Sequence, residues 1–268
     1  MSRTCGYLYI ATKDRVEEAI RSARSLKAVD RESSITLIAD GVVHADVFDN
    51  ILYRPWEIGQ NDWHSKLLYK VRHMYVDSPY ERTFFLDTDT YVVENGRPLF
   101  KLLDYFDLCI SRAPGDLRIP RIDGLPLEGC QPPNTGVILF RRSRENDLLF
   151  QIWRKSYEIK LRNKDFHHRD DSDQICFLDG ILASQARIHW LPNLWNARTW
   201  FFQSFKGPVK IIHEKNVDFK NLEKLVNVTS RQRGWDPLRR QCYLRNENFF
   251  SKTKRKLKSF IRVNRKQG

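Results

Sequence analysis

The sequence predicts an α/β fold with a mostly parallel central sheet flanked by helices. Three observations carry this reading: an opening strand–helix–strand unit, a series of short apolar runs separated by amphipathic helices, and two aspartates at the end of the most hydrophobic run. With 268 residues, 41% apolar and 12% aromatic, the chain can bury a substantial core in one large domain.

Each element follows from local pattern. Gly6-Tyr7-Leu8-Tyr9-Ile10-Ala11 is an apolar run of strand length. Over 14–26, Val16, Ala19, Ile20, Ala23 and Leu26 recur at three- and four-residue spacing, a helical stripe made to lie on a sheet. Residues 34–40 read as the second strand, and a turn at Asp40-Gly41 leads to a third at Asn50-Ile51-Leu52-Tyr53. Over 62–76 a helix carries Leu67, Leu68, Val71 and Tyr75 on one side, and Pro79 stops it. The chain then enters Arg82-Thr83-Phe84-Phe85-Leu86, so Asp87 and Asp89 sit at a strand's carboxyl end, the edge where open α/β sheets bind ligands. Further strands are predicted at 107–110, 136–140, 187–191 and 209–213, and helices at 144–160 and 171–184. The second of these helices is associated with Asp170, Asp171, Asp173 and Asp179. A Pro- and Gly-rich loop over 113–133 is long enough to be functional.

Composition excludes several classes. No apolar run approaches the roughly 20 residues of a membrane span. Residues 1–12 lead from an apolar stretch directly into a charged helix, which reads as a first strand and not as a signal peptide. Five cysteines at scattered spacings, without a CxxC pair, point to reduced thiols in a cytoplasmic compartment. The net charge of +13 is concentrated: residues 231–268 hold 13 Lys and Arg against two acids, leaving the body nearly neutral. Within that extension, 249–263 reads as an amphipathic helix. Phe249, Phe250, Leu257, Phe260 and Ile261 lie on one face, and Lys254, Arg255, Lys258 and Arg262 on the other. Such a helix suits the inner face of an anionic membrane, with a solvated tail as the alternative. A nucleic-acid arm is disfavoured, because phosphate binding needs no apolar face.

Two carboxylates one residue apart at a strand's mouth can both face a cleft and hold a hard divalent cation, which takes oxygen ligands. A leaving diphosphate needs such a cation to neutralise developing charge. On spacing alone the triplet equally suits a pair of loop aspartates capping a helix. Its context is more specific. Ser78-Pro79-Tyr80-Glu81-Arg82-Thr83-Phe84-Phe85-Leu86-Asp87-Thr88-Asp89-Thr90 resembles the SPYxRTLFLDTDT stretch of GT-A-type glycosyltransferases, the nucleotide-diphospho-sugar transferase superfamily. Trp63-His64-Ser65-Lys66, Pro133-Asn134-Thr135-Gly136-Val137, Asp173-Gln174, Leu191-Pro192-Asn193-Leu194-Trp195-Asn196 and Ile211-Ile212-His213 resemble further motifs of that family, in the same order.

The resemblance implies a single GT-A domain over 1–230, followed by the basic extension at 231–268. It implies Mn²⁺ or Mg²⁺ held by Asp87, Asp89 and His213. The donor would be a UDP- or GDP-sugar, bound through Ala11, Thr12, Lys66 and Thr88 together with the two aspartates. Asn134, Asp173 and Gln174 would frame the transferred sugar, with Asp173 the candidate base if the reaction inverts. The acceptor would be a hydroxyl, and the membrane reading of the tail suits a lipid-linked or envelope glycan. One motif departs: the family's HxxGxxKPW loop is here His213-Glu214-Lys215-Asn216-Val217, so Lys215 or another cation must meet the diphosphate.

Residue by residue, plainer alternatives stand beside these roles. His213 also fits an ordinary strand end, Asn134 a turn, Asp173 a helix-start acid and Lys66 a solvated helix position. A haloacid-dehalogenase-type phosphohydrolase also ends a hydrophobic strand in paired aspartates. Tyr91 and the two complete strands before the pair count against it. A non-catalytic, basic-tailed binding module is the third reading.

Overall fold

In the computed structural model, residues 3–56, 62–114, 132–164 and 172–244 are described. Seven strands form the central sheet: β1 (Arg3–Ala11), β2 (Ile35–Ala39), β3 (Asn50–Tyr53), β4 (Tyr80–Leu86), β6 (Leu108–Arg112), β7 (Pro133–Arg141) and β8 (Ile188–Leu191). A short strand, β5 (Thr90–Val92), follows β4 but belongs elsewhere. The spatial order is β3-β2-β1-β4-β7-β6-β8. All neighbours run parallel except at β7, which is antiparallel to both β4 and β6.

Alternation along β1 explains the layers. Tyr7, Tyr9 and Ala11 point to one face, where Ala19, Ile20, Ala23 and Leu26 of α1 (Val16–Val29) cover them. Leu8 and Ile10 point to the other face. There they meet α2 (Trp63–His73), α3 (Arg144–Asn163) and α4 (Gln174–Ala183) through Leu67, Leu68, Leu149, Trp153 and Phe177. A sheet covered on both faces needs apolar side chains in both directions, which is why these strands read as continuous hydrophobic runs. Asp62 caps α2 by accepting a hydrogen bond from the Ser65 amide, and Ser143 caps α3 in the same way through Asn146.

Beyond β8 the chain builds a smaller lobe. β9 (Gln203–Phe205), β11 (Arg233–Asp236) and β12 (Gln241–Leu244) form an antiparallel sheet in the order β12-β11-β9. β10 (Ile211–His213) pairs with β5, and α5 (Phe219–Val226) packs behind them. Ala197, Phe205, Ile212, Phe219, Leu222 and Trp235 centre its core.

Several sequence expectations shift. β7 begins at Pro133, where a proline is tolerated as a strand's first residue, and α4 begins at Gln174, leaving Asp173 at its N-cap. β5, β9, β11, β12 and α5 were not predicted. β11 and β12 fall within the stretch assigned to the basic extension, yet β11 pairs with β9 and β12 with β11. The amphipathic segment 249–263, Asp170, Asp171 and most of the 113–133 loop lie outside the described residues. Among the described residues, no helix is long and apolar enough to cross a membrane.

Candidate functional site

The reversed strand makes the site. Because β7 runs against β4, its first residues lie at the same edge as the carboxyl ends of β1 and β4, and the Asp87 amide donates to the Gly136 carbonyl at 2.8 Å. Asp87 then opens a tight turn in which its carbonyl accepts from the Thr90 hydroxyl at 2.8 Å, carrying the chain into β5. β5 pairs with β10 so that His213 stands opposite Thr90, and the Glu214 amide donates to the Asp89 carbonyl at 2.9 Å. Two strands far apart in sequence are thereby locked with their side chains on one point.

At that point His213 Nε2 is 3.1 Å from Asp89 Oδ1 and 3.8 Å from Asp87 Oδ2. One ligand atom from each of the three residues lies within 4.8 Å of the others. On its far side the imidazole faces Asn196, with Nδ1 2.9 Å from the amide oxygen. That oxygen accepts, so Nδ1 donates and the ring is held with Nε2 directed at the carboxylates. Asn196 in turn donates to Asn134 Oδ1 at 2.9 Å, and the same oxygen accepts from the Gly136 amide at 3.1 Å. A Cβ at Gly136 would lie 2.1 Å from His213 Cε1 and 2.7 Å from Asp87 Oδ2, so only glycine leaves the three groups free to converge.

The half-buried Asp87 carboxylate, the buried Asp89 carboxylate and the buried His213 imidazole are a suitable donor set for a small divalent cation. Their electrostatics agree. Burial pushes the Asp87 carboxyl up, and Asp89 and Asp173 reinforce this against Lys70 and His213. Burial acts on Asp89 in the same sense, but His213, Lys215 and Arg198 outweigh it and hold that carboxyl far below its usual range. Crowded acids of this kind are relieved by a cation.

The neighbouring floor is tied by Lys70, which is 7% exposed and was not singled out from the sequence. Its Nζ lies 2.8 Å from Asp173 Oδ2 and 3.7 Å from Asp87 Oδ1. Burial alone would lower its ammonium, but Asp173 and Asp87 overcome that and raise it. The Thr135 hydroxyl donates to Asp173 at 2.9 Å, and Trp153 Nε1 donates to the Asp173 carbonyl at 3.0 Å. The signal for Lys70 was available: it is a lone charge among Leu67, Leu68 and Val71 on a buried helix face. Gln174 Oε1 is buried beside this cluster without a hydrogen-bond partner among the described residues.

The remaining predicted residues, Ala11 apart, line a cleft that also reaches Asp87 and Asp89. Ala11 is the buried last residue of β1, and the Thr12 hydroxyl donates to Asp14 at 2.7 Å. Lys66 pairs with the same carboxylate at 2.6 Å, and Thr88 donates to Glu18 at 3.2 Å. Lys215 reaches within 3.9 Å of Asp89 and lies 4.3 Å over the Trp63 ring. Thr12, Lys66, Thr88, Asp89, Lys70 and Lys215 thus share one cleft. Sequence reasoning also missed Arg198, whose Nε is buried and unpartnered among the described residues and whose charge acts on Asp89.

No protein-family model matches the sequence, nor does any curated protein. Solved structures do match. The chain is similar to the galactosyltransferase LgtC in complex with donor and acceptor sugar analogues, at 15% identity and TM-score 0.50 over 79% of this chain and 87% of that one. It is similar to mouse xyloside xylosyltransferase 1 at 16% identity and TM-score 0.51, over 80% and 98% of the two chains. The bifunctional glycosyltransferase WbbM matches at 12% identity and TM-score 0.53, over 81% of this chain and 46% of that one. At these identities the likeness is one of fold, and that fold is the GT-A fold of glycosyltransferases.

Proposed function

We propose that the chain is a metal-dependent glycosyltransferase that moves a sugar from a nucleotide-diphosphate donor to an acceptor hydroxyl. The observation that carries this reading is the convergence of Asp87, Asp89 and His213 within 4.8 Å at the carboxyl edge of β4, with Gly136 leaving that point open. These three residues would hold Mn²⁺ or Mg²⁺, which when bound would serve as a Lewis acid toward the leaving diphosphate. Ala11 and Thr12 border the place for the nucleoside. Lys215, Arg198 and Lys66 supply positive charge to the phosphates, which answers the missing lysine of the family's HxxGxxKPW loop.

Asp173, Gln174 and Asn134 frame the transferred sugar. Asp173 is held by Lys70 and Thr135, and a carboxylate bonded to an ammonium is a weak proton acceptor until that bond loosens. Gln174 Oε1, unpartnered among the described residues, is available to a sugar hydroxyl. A UDP- or GDP-sugar donor and a glycan or lipid-linked acceptor belong to this reading. The positive charge of residues 231–268 supports peripheral contact with an anionic membrane at its cytoplasmic side.

The experiment is a thermal-shift series with Mn²⁺ or Mg²⁺ and each nucleoside diphosphate, followed by hydrolysis assays over a panel of nucleotide sugars. A ligand that binds the native state must raise its melting temperature. A shift that needs metal and nucleotide together is expected, and the absence of one with every nucleoside diphosphate would sink the proposal.

A further inference from the structure

Successive residues at the end of β10 and just beyond it face different ways. His213 points at the two aspartates, and Lys215 points into the cleft beside Asp89 and Trp63. Glu214 lines a separate pocket, together with Thr199, Trp200, Trp235 and Arg240. We propose that this second pocket binds a pyranose unit of the acceptor glycan, so that the two substrates approach from opposite sides of the β10 extension. The inference rests on the transferase reading for the word acceptor, but not for the binding of sugar.

The chemistry of the walls carries it. Glu214 is 3% exposed, and its carboxylate has no cationic partner among the described residues. One oxygen accepts from the Thr199 hydroxyl at 2.6 Å and the other from the Lys215 amide at 3.0 Å. An ionised carboxylate offers about four acceptor positions, so two remain for hydroxyl donors of a ligand. Burying such a group is costly unless its hydrogen bonds are completed. Trp235 forms the floor, its ring fixed by donation from Nε1 to the Thr199 carbonyl at 2.8 Å. Trp200 stands at the rim, 67% exposed, and offers a flat apolar face of the kind that covers the C–H side of a sugar ring. Arg240, exposed and at φ 50°, also lines the pocket and adds donors.

The cavity measures about 110 Å³. That far exceeds the roughly 15 Å³ a single water needs. An aromatic floor with a few convergent polar groups is the usual make-up of a small-molecule site. The pocket also lies beside the metal point, because the Glu214 amide is bonded to the Asp89 carbonyl.

The test is saturation-transfer NMR on the full chain with methyl glucosides, methyl galactosides, N-acetylglucosamine and lactose as probes. Binding of at least one probe is expected, weakened tenfold or more in Trp200→Ala and in Arg240→Gln. Trp200 is exposed, so its variant should fold, and the thermal midpoint without ligand checks this. Equal binding by wild type and Trp200→Ala overturns the proposal, as does binding of no probe by the wild type. The metal-dependent nucleotide shift is measured in parallel. If sugars bind through Trp200 while that shift is absent, the transferase reading falls and the sugar pocket stands. The reverse result removes the pocket and leaves the transferase.

Discussion

The central sheet and the carboxy-terminal lobe are held together by different means. The sheet buries apolar side chains on both faces, from Tyr7 and Phe84 on one to Phe85 and Trp153 on the other. The lobe has a smaller core and relies on a buried cation. Arg233, 1% exposed, donates to the carbonyls of Val226, Gly207 and Arg231 and to the Asn227 amide oxygen. Where apolar area is scarce, fully satisfied polar contacts fix the geometry. The candidate metal point takes its acids from the first region and its histidine from the second. It therefore tests whether both regions are equally well positioned.

The largest effect is expected from the sheet's contribution. Asp89→Asn removes a charged ligand without touching either core, so the fold should persist while metal-dependent turnover falls by more than roughly 100-fold, since even outer partners of a metal ligand are worth about 10–100-fold. A variant that loses its fold instead would deny that the acids are displayed by an independently stable sheet. Asn196→Ala addresses the lobe's contribution. It frees the His213 ring from its 2.9 Å contact and should weaken metal affinity by about 10–100-fold, read by titrating Mn²⁺ against the thermal midpoint. No change would mean that packing alone orients the histidine.

Arg233→Met separates the regions directly. It takes a donor from four oxygens, of which Asn227 Oδ1 keeps the Val209 amide at 2.7 Å, at about 1–3 kcal/mol for each that stays buried and unpaired. Hydrogen exchange should accelerate in β9, β11 and α5 while amides of β1, β4 and β7 keep their protection. Uniform loss across both would show that the molecule unfolds as one unit.

The same contrast decided what could be read from the sequence. Strands such as β1 and β4 announce themselves, because burial on both faces demands an apolar run. β5 and β9 are three residues each, too short for a period to appear, and their partners lie far away in the chain, whereas the equally short β10 was read from its apolar run. The site divides in a similar way. Asp87, Asp89 and His213 were legible through motif order. Lys70 was hidden because a charge on a helix is ordinarily read as solvent-facing, and Asn196 and Arg198 because their roles depend on the Ala197 to Ile212 bridge.

The smallest effect concerns acid, and it sharpens the contrast without any ligand. Asp107 sits at the sheet's outer edge, 2% exposed, where it accepts from Arg141 Nε at 2.9 Å and from the Arg187 amide at 2.9 Å. Burial would raise its carboxyl, but Arg187 and Arg141 prevail and hold it at about 2. In an unfolded chain an aspartate titrates near about 3.9. The folded value is the lower one, so the group's stabilising contribution is complete above the unfolded value and is lost as pH falls through about 2. The urea midpoint of the wild type should therefore decline between about pH 5 and pH 2 more steeply than that of Asp107→Asn, and the two should converge at the acid end. Arg233, by contrast, is clasped by carbonyl and amide oxygens, which do not titrate in this range. Amides at the β6 and β8 edge should thus lose exchange protection before those of β11 as acid is added. Parallel midpoint curves for wild type and Asp107→Asn would remove Asp107 from this account, and equal loss at both places would erase the distinction between the two regions.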